Sequence, residues 1–201
     1  MEQAVDRQTG KRCRGFLSSS LASAHACGIC SLRQLKPDER QNHLGQHILR
    51  WLLGMGDLLN IHLSDYPCGF CGGSDCQLAM KGQKWTSTCS LSYNFRASTA
   101  GQSTDKRPSS NIPIICKLDG CREVHWKYNF PKHLEKRHAG WQDTIMPSFV
   151  NELQVSDEEQ RRIGIRDDLR RPWLVVPVTG SKRTLSDISN ITGPPTTKRK
   201  T

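Results

Sequence analysis

A small α+β fold, organised by bound metal rather than by a large apolar interior, is what this sequence predicts, and three observations predict it. Only 35% of the 201 residues are hydrophobic and 6% aromatic, below the roughly 45–50% apolar usage of an ordinary globular domain. Nine cysteines and seven histidines fall mostly into pairs at metal-ligand spacing, all before residue 139. Helix and strand signals are short and local. The length allows one large domain or two small ones. No run of 18 apolar residues occurs, and residues 1–14 carry charges throughout, so neither a membrane span nor a secretory leader is expected. A soluble intracellular chain keeps its thiols reduced, and its cysteines then call for metal rather than disulfides.

In chain order, residues 1–24 read as a flexible N-terminus. Pro37 followed by Asp38 and Glu39 suits a first helical turn, where proline needs no N–H partner and carboxylates meet the positive end of the helix. Leu44, Ile48, Trp51 and Leu52 then share one face, which places a helix at about 37–54 inside a finger-like unit, 25–66. Residues 67–115 form a cysteine-rich knuckle and strand region, in which Leu91, Tyr93 and Phe95 alternate with polar residues as a half-buried strand does. The polar run 97–111 reads as a flexible loop. Two strands, about 112–116 and 124–128, flank a turn at 117–120 and lead into a second finger-like unit, 116–140. Ser156 and Glu159 form a capping box, and Gly164 ends that short helix. The segment 141–178 is expected to be a partly helical linker, with 157–171 a solvated helix of balanced charge and ordered material ending not far beyond Trp141. Residues 179–201, rich in Ser, Thr, Gly, Pro, Lys and Arg, bury too little apolar surface to offset their ordering entropy and are expected to be a disordered basic tail.

The strongest chemical signal is Cys27-x2-Cys30-x12-His43-x3-His47. Two thiolates on a tight knuckle and two imidazoles one helical turn apart close a tetrahedron around Zn²⁺ with no open position. Gly28 and Ser31 leave backbone N–H groups free to approach the sulfurs. A second set is Cys116-x4-Cys121-x11-His133-x4-His138, with Trp126 and Phe130 placed to form its small core. Between them lies Cys68-x2-Cys71 with Gly69, Gly72 and Gly73, whose glycines permit the sharp turn of a knuckle. Cys76 and Cys89 complete it as a four-thiolate set; His62 competes with Cys76 for one place. The alternative to each set is a group of buried thiols and solvated imidazoles that bind nothing. Eight cysteines and four histidines thus make three tetrahedra, leaving Cys13, His25, His62 and His125 outside them. The expected cofactor is three structural Zn²⁺ ions. Sequential pairing of ligands is the simpler topology, and a cross-braced arrangement stays open. The Cys-x-His-x2-Cys centre of a RING module is missing from the sequence.

Residues 27–47 and 116–138 resemble C2H2-type zinc fingers, and YNFPKHLEKRH is similar to the histidine half of a BED-type finger. Over about 25–140, the run PCGFCGG…C…C…NIPIIC…C…WKYNFPKHLEKRH resembles a group of zinc-finger proteins abundant in mushroom-forming fungi. That resemblance implies finger modules and zinc ligation, and no particular activity. Three departures from DNA-reading fingers stand out: the units are tens of residues apart, Gln34 and Arg40 replace core residues in the first, and Pro131 sits two residues before His133.

The chain carries 29 Lys and Arg against 19 Asp and Glu, a net charge of +10, which favours polyanionic partners. With zinc in all three sites the net charge would still be about +8, since only the four-thiolate set keeps negative charge. Counted from the first histidine of each finger, the base-reaching positions are Lys36, Glu39 and Asn42, and Trp126, Asn129 and Lys132. Pro131 forces the last helix to start late, so phosphate contact by Lys127, Lys132, Lys136 and Arg137, with Lys106, Arg107, Lys117 and Arg122 nearby, is the better expectation than base reading. Lys182-Arg183 and Lys198-Arg199-Lys200 in the tail suit nuclear import through an import receptor. Enzyme chemistry is not expected, because His43-x3-His47 has no Glu after its first histidine and closed sites leave no place for an activated water. The sequence thus reads as a nuclear zinc-binding protein that binds nucleic acid as a regulatory module, with no membrane and no small-molecule substrate. The alternatives are a zinc-stabilised scaffold that binds protein through an exposed Trp126 or Trp141, and a transposon-derived fragment of the same fold.

Overall fold

A computed structural model of the chain describes residues 27, 29–30, 32, 35–55, 63–82 and 84–174. Helix α1 (Pro37–Arg50) starts at the proline, with Asp38 and Glu39 in its first turn and the Lys36 N–H donating to Glu39 Oε2 at 3.0 Å. It runs into one π-helical turn, Trp51–Met55, in which Gly54 takes φ 82° and breaks the helical path. The helix expected at 37–54 is therefore present, with its last turn distorted. Strands β1 (Leu78–Lys81) and β2 (Lys84–Ser87) form an antiparallel hairpin that pairs Leu78 with Ser87. A single helical turn, α2 (Ala97–Ala100), follows.

Strands β3 (Pro113–Ile115) and β4 (Val124–Trp126) pair antiparallel, Ile114 opposite His125. The turn between them holds Asp119 at φ 46° and Gly120 at φ 68°. A 3₁₀ turn, Lys127–Asn129, delays α3 (Phe130–Arg137), so that Pro131 falls in its first turn, where its missing N–H costs nothing. This unit has the ββα order of a finger. Ahead of α1 the described residues hold a turn at 29–30 and no strand, so the first unit is a knuckle and a helix. Residues 91–95 alternate between half-buried and exposed, as their pattern predicts, but join no ladder.

The stretch expected to be a linker forms α4 (Trp141–Thr144), α5 (Pro147–Leu153) and α6 (Asp157–Arg162). The Ser156 cap is made, its Oγ accepting the Glu159 N–H at 3.0 Å. Ordered structure does not stop near Trp141. Trp141, Ile145, Phe149, Leu153 and Leu174 pack on Ile114, Cys116, Phe130 and Leu134, while Val155, Ile163 and Ile165 pack on Leu44, Ile48 and Leu49 of α1, on Leu53 of the π-helical turn and on Tyr128. A third cluster, around Phe70 and Trp126 with ring centroids 4.8 Å apart, encloses Cys68 and Cys89.

The polar run 97–111 also differs from the loop expected of it. Ser109, Ser110 and Asn111 at its end are fully buried, as is Glu159 on the helix expected to be solvated. The Glu159 carboxylate accepts the Ser110 N–H at 2.7 Å, the Ser110 hydroxyl at 2.8 Å and the Tyr128 hydroxyl. Lys127 Nζ donates to Ser110 Oγ at 2.9 Å, and Asn42 of α1 donates to the Ser109 carbonyl at 2.7 Å. Gly45 is needed beside this segment, because a Cβ there would lie 2.0 Å from Ser109 Oγ.

Removing Glu159 takes the carboxylate acceptor from the buried Ser110 and Tyr128 hydroxyls and the nearby negative charge from Lys127, while the Ser110 N–H keeps only the Tyr128 hydroxyl, at 3.1 Å. Glu159→Ala should cost about 3–5 kcal/mol, read from denaturant unfolding with metal present, and Glu159→Gln clearly less. A loss under about 1 kcal/mol for Glu159→Ala would show that the buried network is not structural.

Candidate metal centres

The three ligand sets expected from spacing converge. Cys27, Cys30, His43 and His47 bring one ligand atom each to within 4.8 Å of the other three, and so do Cys68, Cys71, Cys76 and Cys89, and Cys116, Cys121, His133 and His138. Ligands around a tetrahedral ion with metal–sulfur bonds near 2.3 Å and metal–nitrogen bonds near 2.0–2.1 Å lie roughly 3.3–3.8 Å apart. The separations here fall in or close to that range. Cys30 Sγ and His43 Nε2 are 3.1 Å apart, His43 Nε2 and His47 Nε2 3.1 Å, Cys71 Sγ and Cys76 Sγ 3.5 Å, Cys116 Sγ and His138 Nε2 3.4 Å, and Cys121 Sγ and His133 Nε2 3.8 Å. The pairs are used in sequential order. These are sites that can hold a metal ion.

Each centre is positioned by its local fold. In the first, a backbone turn ties Cys27 N–H to the Leu32 carbonyl at 2.8 Å, and the Ile29 N–H lies 3.4 Å from Cys27 Sγ. His43 and His47 sit one turn apart on α1. In the second, the Phe70 and Gly73 N–H groups approach Cys68 and Cys71 Sγ at 3.4 Å, with Gly72 at φ 73° making the knuckle. The β1–β2 hairpin does the rest. Its ladder carries Gln77 beside Thr88 through two hydrogen bonds, 2.9 and 3.1 Å, and so sets Cys76 next to Cys89. Cys76 also carries a disulfide bond, which has to open before its sulfur can ligate as a thiolate; the other seven described cysteines are free. His62 and Cys13 lie outside the described residues. In the third centre the cysteines flank the β3–β4 turn and the histidines come from α3 and its C-terminal end.

Electrostatics favour a cation at these points. In the four-sulfur group, the hydrogen bond from Cys68, and then that from Cys89, pull the Cys71 thiol down to about 3, while the same contact pushes Cys68 well above its usual value. One thiolate is sustained by its neighbours' protons, and further ionisation needs positive charge. Burial lowers His47 to about 4, helped by His43 and Arg50, and lowers His133 to about 4, helped by His125. Both rings are neutral near pH 7 and able to ligate.

Two carboxylates that spacing does not reveal stand behind the third centre. Asp119 Oδ2 lies 3.3 Å from His138 Nδ1, and Glu123 Oε2 3.5 Å from His133 Nδ1, the arrangement that orients an imidazole whose other nitrogen binds metal. Their only trace in the sequence is position, two residues to either side of Cys121.

The residues expected to face nucleic acid fare differently. Lys127 is only 8% exposed and is held inside by Ser110, so it is no phosphate contact. Lys132 pairs with Asp65, and Arg137 with Glu123 at 3.1 Å; Lys136 lies over the Tyr66 ring at 5.6 Å. Asn42, Trp126 and Asn129 are buried, Asn129 donating to the Pro67 carbonyl at 3.1 Å, so three of the six base-reaching positions cannot enter a groove. Trp126 and Trp141 are buried as well and offer no exposed protein contact. Lys182, Arg183, Lys198, Arg199 and Lys200 lie outside the described residues. No helix among the described residues is long and apolar enough to cross a membrane. No known family, curated protein or solved structure matches the chain.

Unfolded histidines take up protons near pH 6.5, whereas folded His47 and His133 resist until about pH 4. Stability is therefore full above about pH 6.5 and is lost as pH falls towards 4, by on the order of 3 kcal/mol for each histidine before metal binding adds to it. A pH series of thermal unfolding should show this fall over that window, with metal released in step; flat stability from pH 7 to pH 4 would contradict the assignment.

Proposed function

We propose that the protein is a zinc protein with three structural Zn²⁺ ions, and that it acts in the nucleus as a regulatory module that binds nucleic acid through phosphate contacts. The observation that carries the zinc reading is the convergence of three four-ligand sets of sulfur and imidazole nitrogen, a donor chemistry and number suited to closed tetrahedral zinc. Closed sites of this kind leave no position for an activated water, and no catalytic role is proposed. The likeness to C2H2-type fingers in spacing and in the ββα order of 113–137 supports the same reading.

The partner reading rests on charge. The net charge of +10 drops only to about +8 with zinc bound, and Lys106, Arg122 and Lys136 are exposed. With Asn42, Trp126 and Asn129 buried, recognition is by phosphate and not by base. The basic clusters Lys182-Arg183 and Lys198-Arg199-Lys200 serve import in this proposal. A second reading, a zinc-stabilised protein-binding scaffold, is favoured by one observation. A cleft of about 330 Å³ is lined by Phe70, Leu78, Trp85, Tyr93 and Pro113, among others.

Salt separates the two. Affinity for a duplex oligonucleotide should fall linearly on a log–log plot of affinity against salt, with a slope near −0.9 per phosphate contacted. Lys106→Glu, Arg122→Glu and Lys136→Glu together should flatten that slope by roughly 3 units. No binding at low salt, or binding indifferent to salt, would overturn the nucleic-acid reading and leave the scaffold.

A further inference from the structure

Beside the third centre lies a group of side chains that its tetrahedron does not use. Strand β4 projects His125 away from Trp126, towards α3, where its ring lies against His133 with centroids 4.1 Å apart and planes tilted by 32°. His125 Nε2 is 3.1 Å from Glu123 Oε2, and the same oxygen is 3.5 Å from His133 Nδ1. Ligand atoms of the three residues all lie within 4.8 Å of one another. His133 therefore faces two ways, Nε2 towards Cys121 and Nδ1 towards Glu123, with the His125 ring against its own.

We propose that Glu123, His125 and the Nδ1 edge of His133 form a fourth, solvent-open site for a divalent transition-metal ion, which shares the His133 ring with the third tetrahedron. The proposal rests on the zinc reading of that tetrahedron. As the second ion binds, the proton on His133 Nδ1 leaves to solvent, and the ring bridges the two metals as an imidazolate. The charges balance locally, since the Glu123 carboxylate and the imidazolate bring two negative charges to a dication. Arg137 Nη2 holds Glu123 Oε1 at 3.1 Å and leaves Oε2 turned to the site. Two imidazole nitrogens and one carboxylate oxygen suit Zn²⁺, Co²⁺, Ni²⁺ or Cu²⁺ better than Mg²⁺ or Ca²⁺. His133 is buried, but the His125 and Glu123 side chains are 21% and 43% exposed, so water completes the coordination. Three protein ligands with a water-filled position distinguish this site from the closed ones. The simpler role for Glu123 is to orient His133 alone, and stoichiometry tells the two apart.

The test titrates Co²⁺ into the reduced, metal-free full chain, with bound ions counted by native mass spectrometry and thiolate-to-cobalt absorption recorded in parallel. We expect one Co²⁺ to bind after the thiolate absorption has saturated, because the outer site contains no sulfur. His125→Phe should lose that last ion and keep the full thiolate absorption, which also shows that it folds. A wild-type count that stops where the absorption saturates would overturn the proposal, as would retention of the extra ion in His125→Phe. Failure of the zinc reading itself would look different, as thiolate absorption too weak for a tetrahedron at Cys116 and Cys121.

Discussion

Four sulfur or nitrogen donors held within 4.8 Å of one another make a costly arrangement unless a cation sits among them. Buried thiols resist ionising, buried imidazoles resist protonating, and their lone pairs crowd one another. A dication turns this cost into the largest favourable interaction available to so short a segment. The strands that flank the ligands have three or four residues and α3 has eight, lengths at which hydrogen bonding alone does not sustain structure. An ion bound by one of these sets would also close a loop of the chain, 27–47, 68–89 or 116–138, and would fix the segments that lie between its pairs.

The candidate ligands and the apolar packing are not separate layers here. Cys68 and Cys89 belong to the Phe70–Trp126 cluster, Cys116 belongs to the Ile114–Phe149 cluster, and α1, which presents His43 and His47, packs Leu44 and Ile48 against Val155, Ile163 and Ile165. Glu159 then ties the pieces together, linking α6, the 109–111 segment and Tyr128 through hydrogen bonds that no solvent reaches. The expectation that metal alone would shape the chain needs this correction: the packed part extends to Leu174, and the apolar clusters connect centres that the ligands by themselves only staple.

The ligands were legible because coordination imposes fixed spacings. Cys-x2-Cys and His-x3-His are short-range patterns, and α1, which carries one of them, announces itself through Pro37, Asp38 and an apolar face of period 3.6. What stayed hidden depends on distance in the chain. Ser109 and Ser110 read as loop residues because their partners, Tyr128 and Glu159, lie 19 and 49 positions away. Phe149, Leu153, Ile163, Ile165 and Leu174 read as linker because helices of four to seven residues show too little period to mark a buried face. The β1–β2 hairpin, which sets Cys76 beside Cys89, has only a Gly82 turn and a few β-forming residues as its signal. Lys127, counted by charge as a surface residue, is drawn inward by Ser110. A formal charge in the sequence does not say which side of the protein it faces.

Near-ultraviolet circular dichroism through a thermal unfolding scan, under reducing conditions, with and without a strong chelator, tests most directly whether coordination holds this chain together. With zinc restored in equimolar steps, the aromatic signal of buried Trp126, Tyr128 and Trp141 should return and unfolding should become cooperative as the third equivalent is added. Under chelation both should be lost. A chelated chain that kept its aromatic signal and melted as sharply as the metal-loaded one would show that packing suffices and that the metal centres are incidental to the fold.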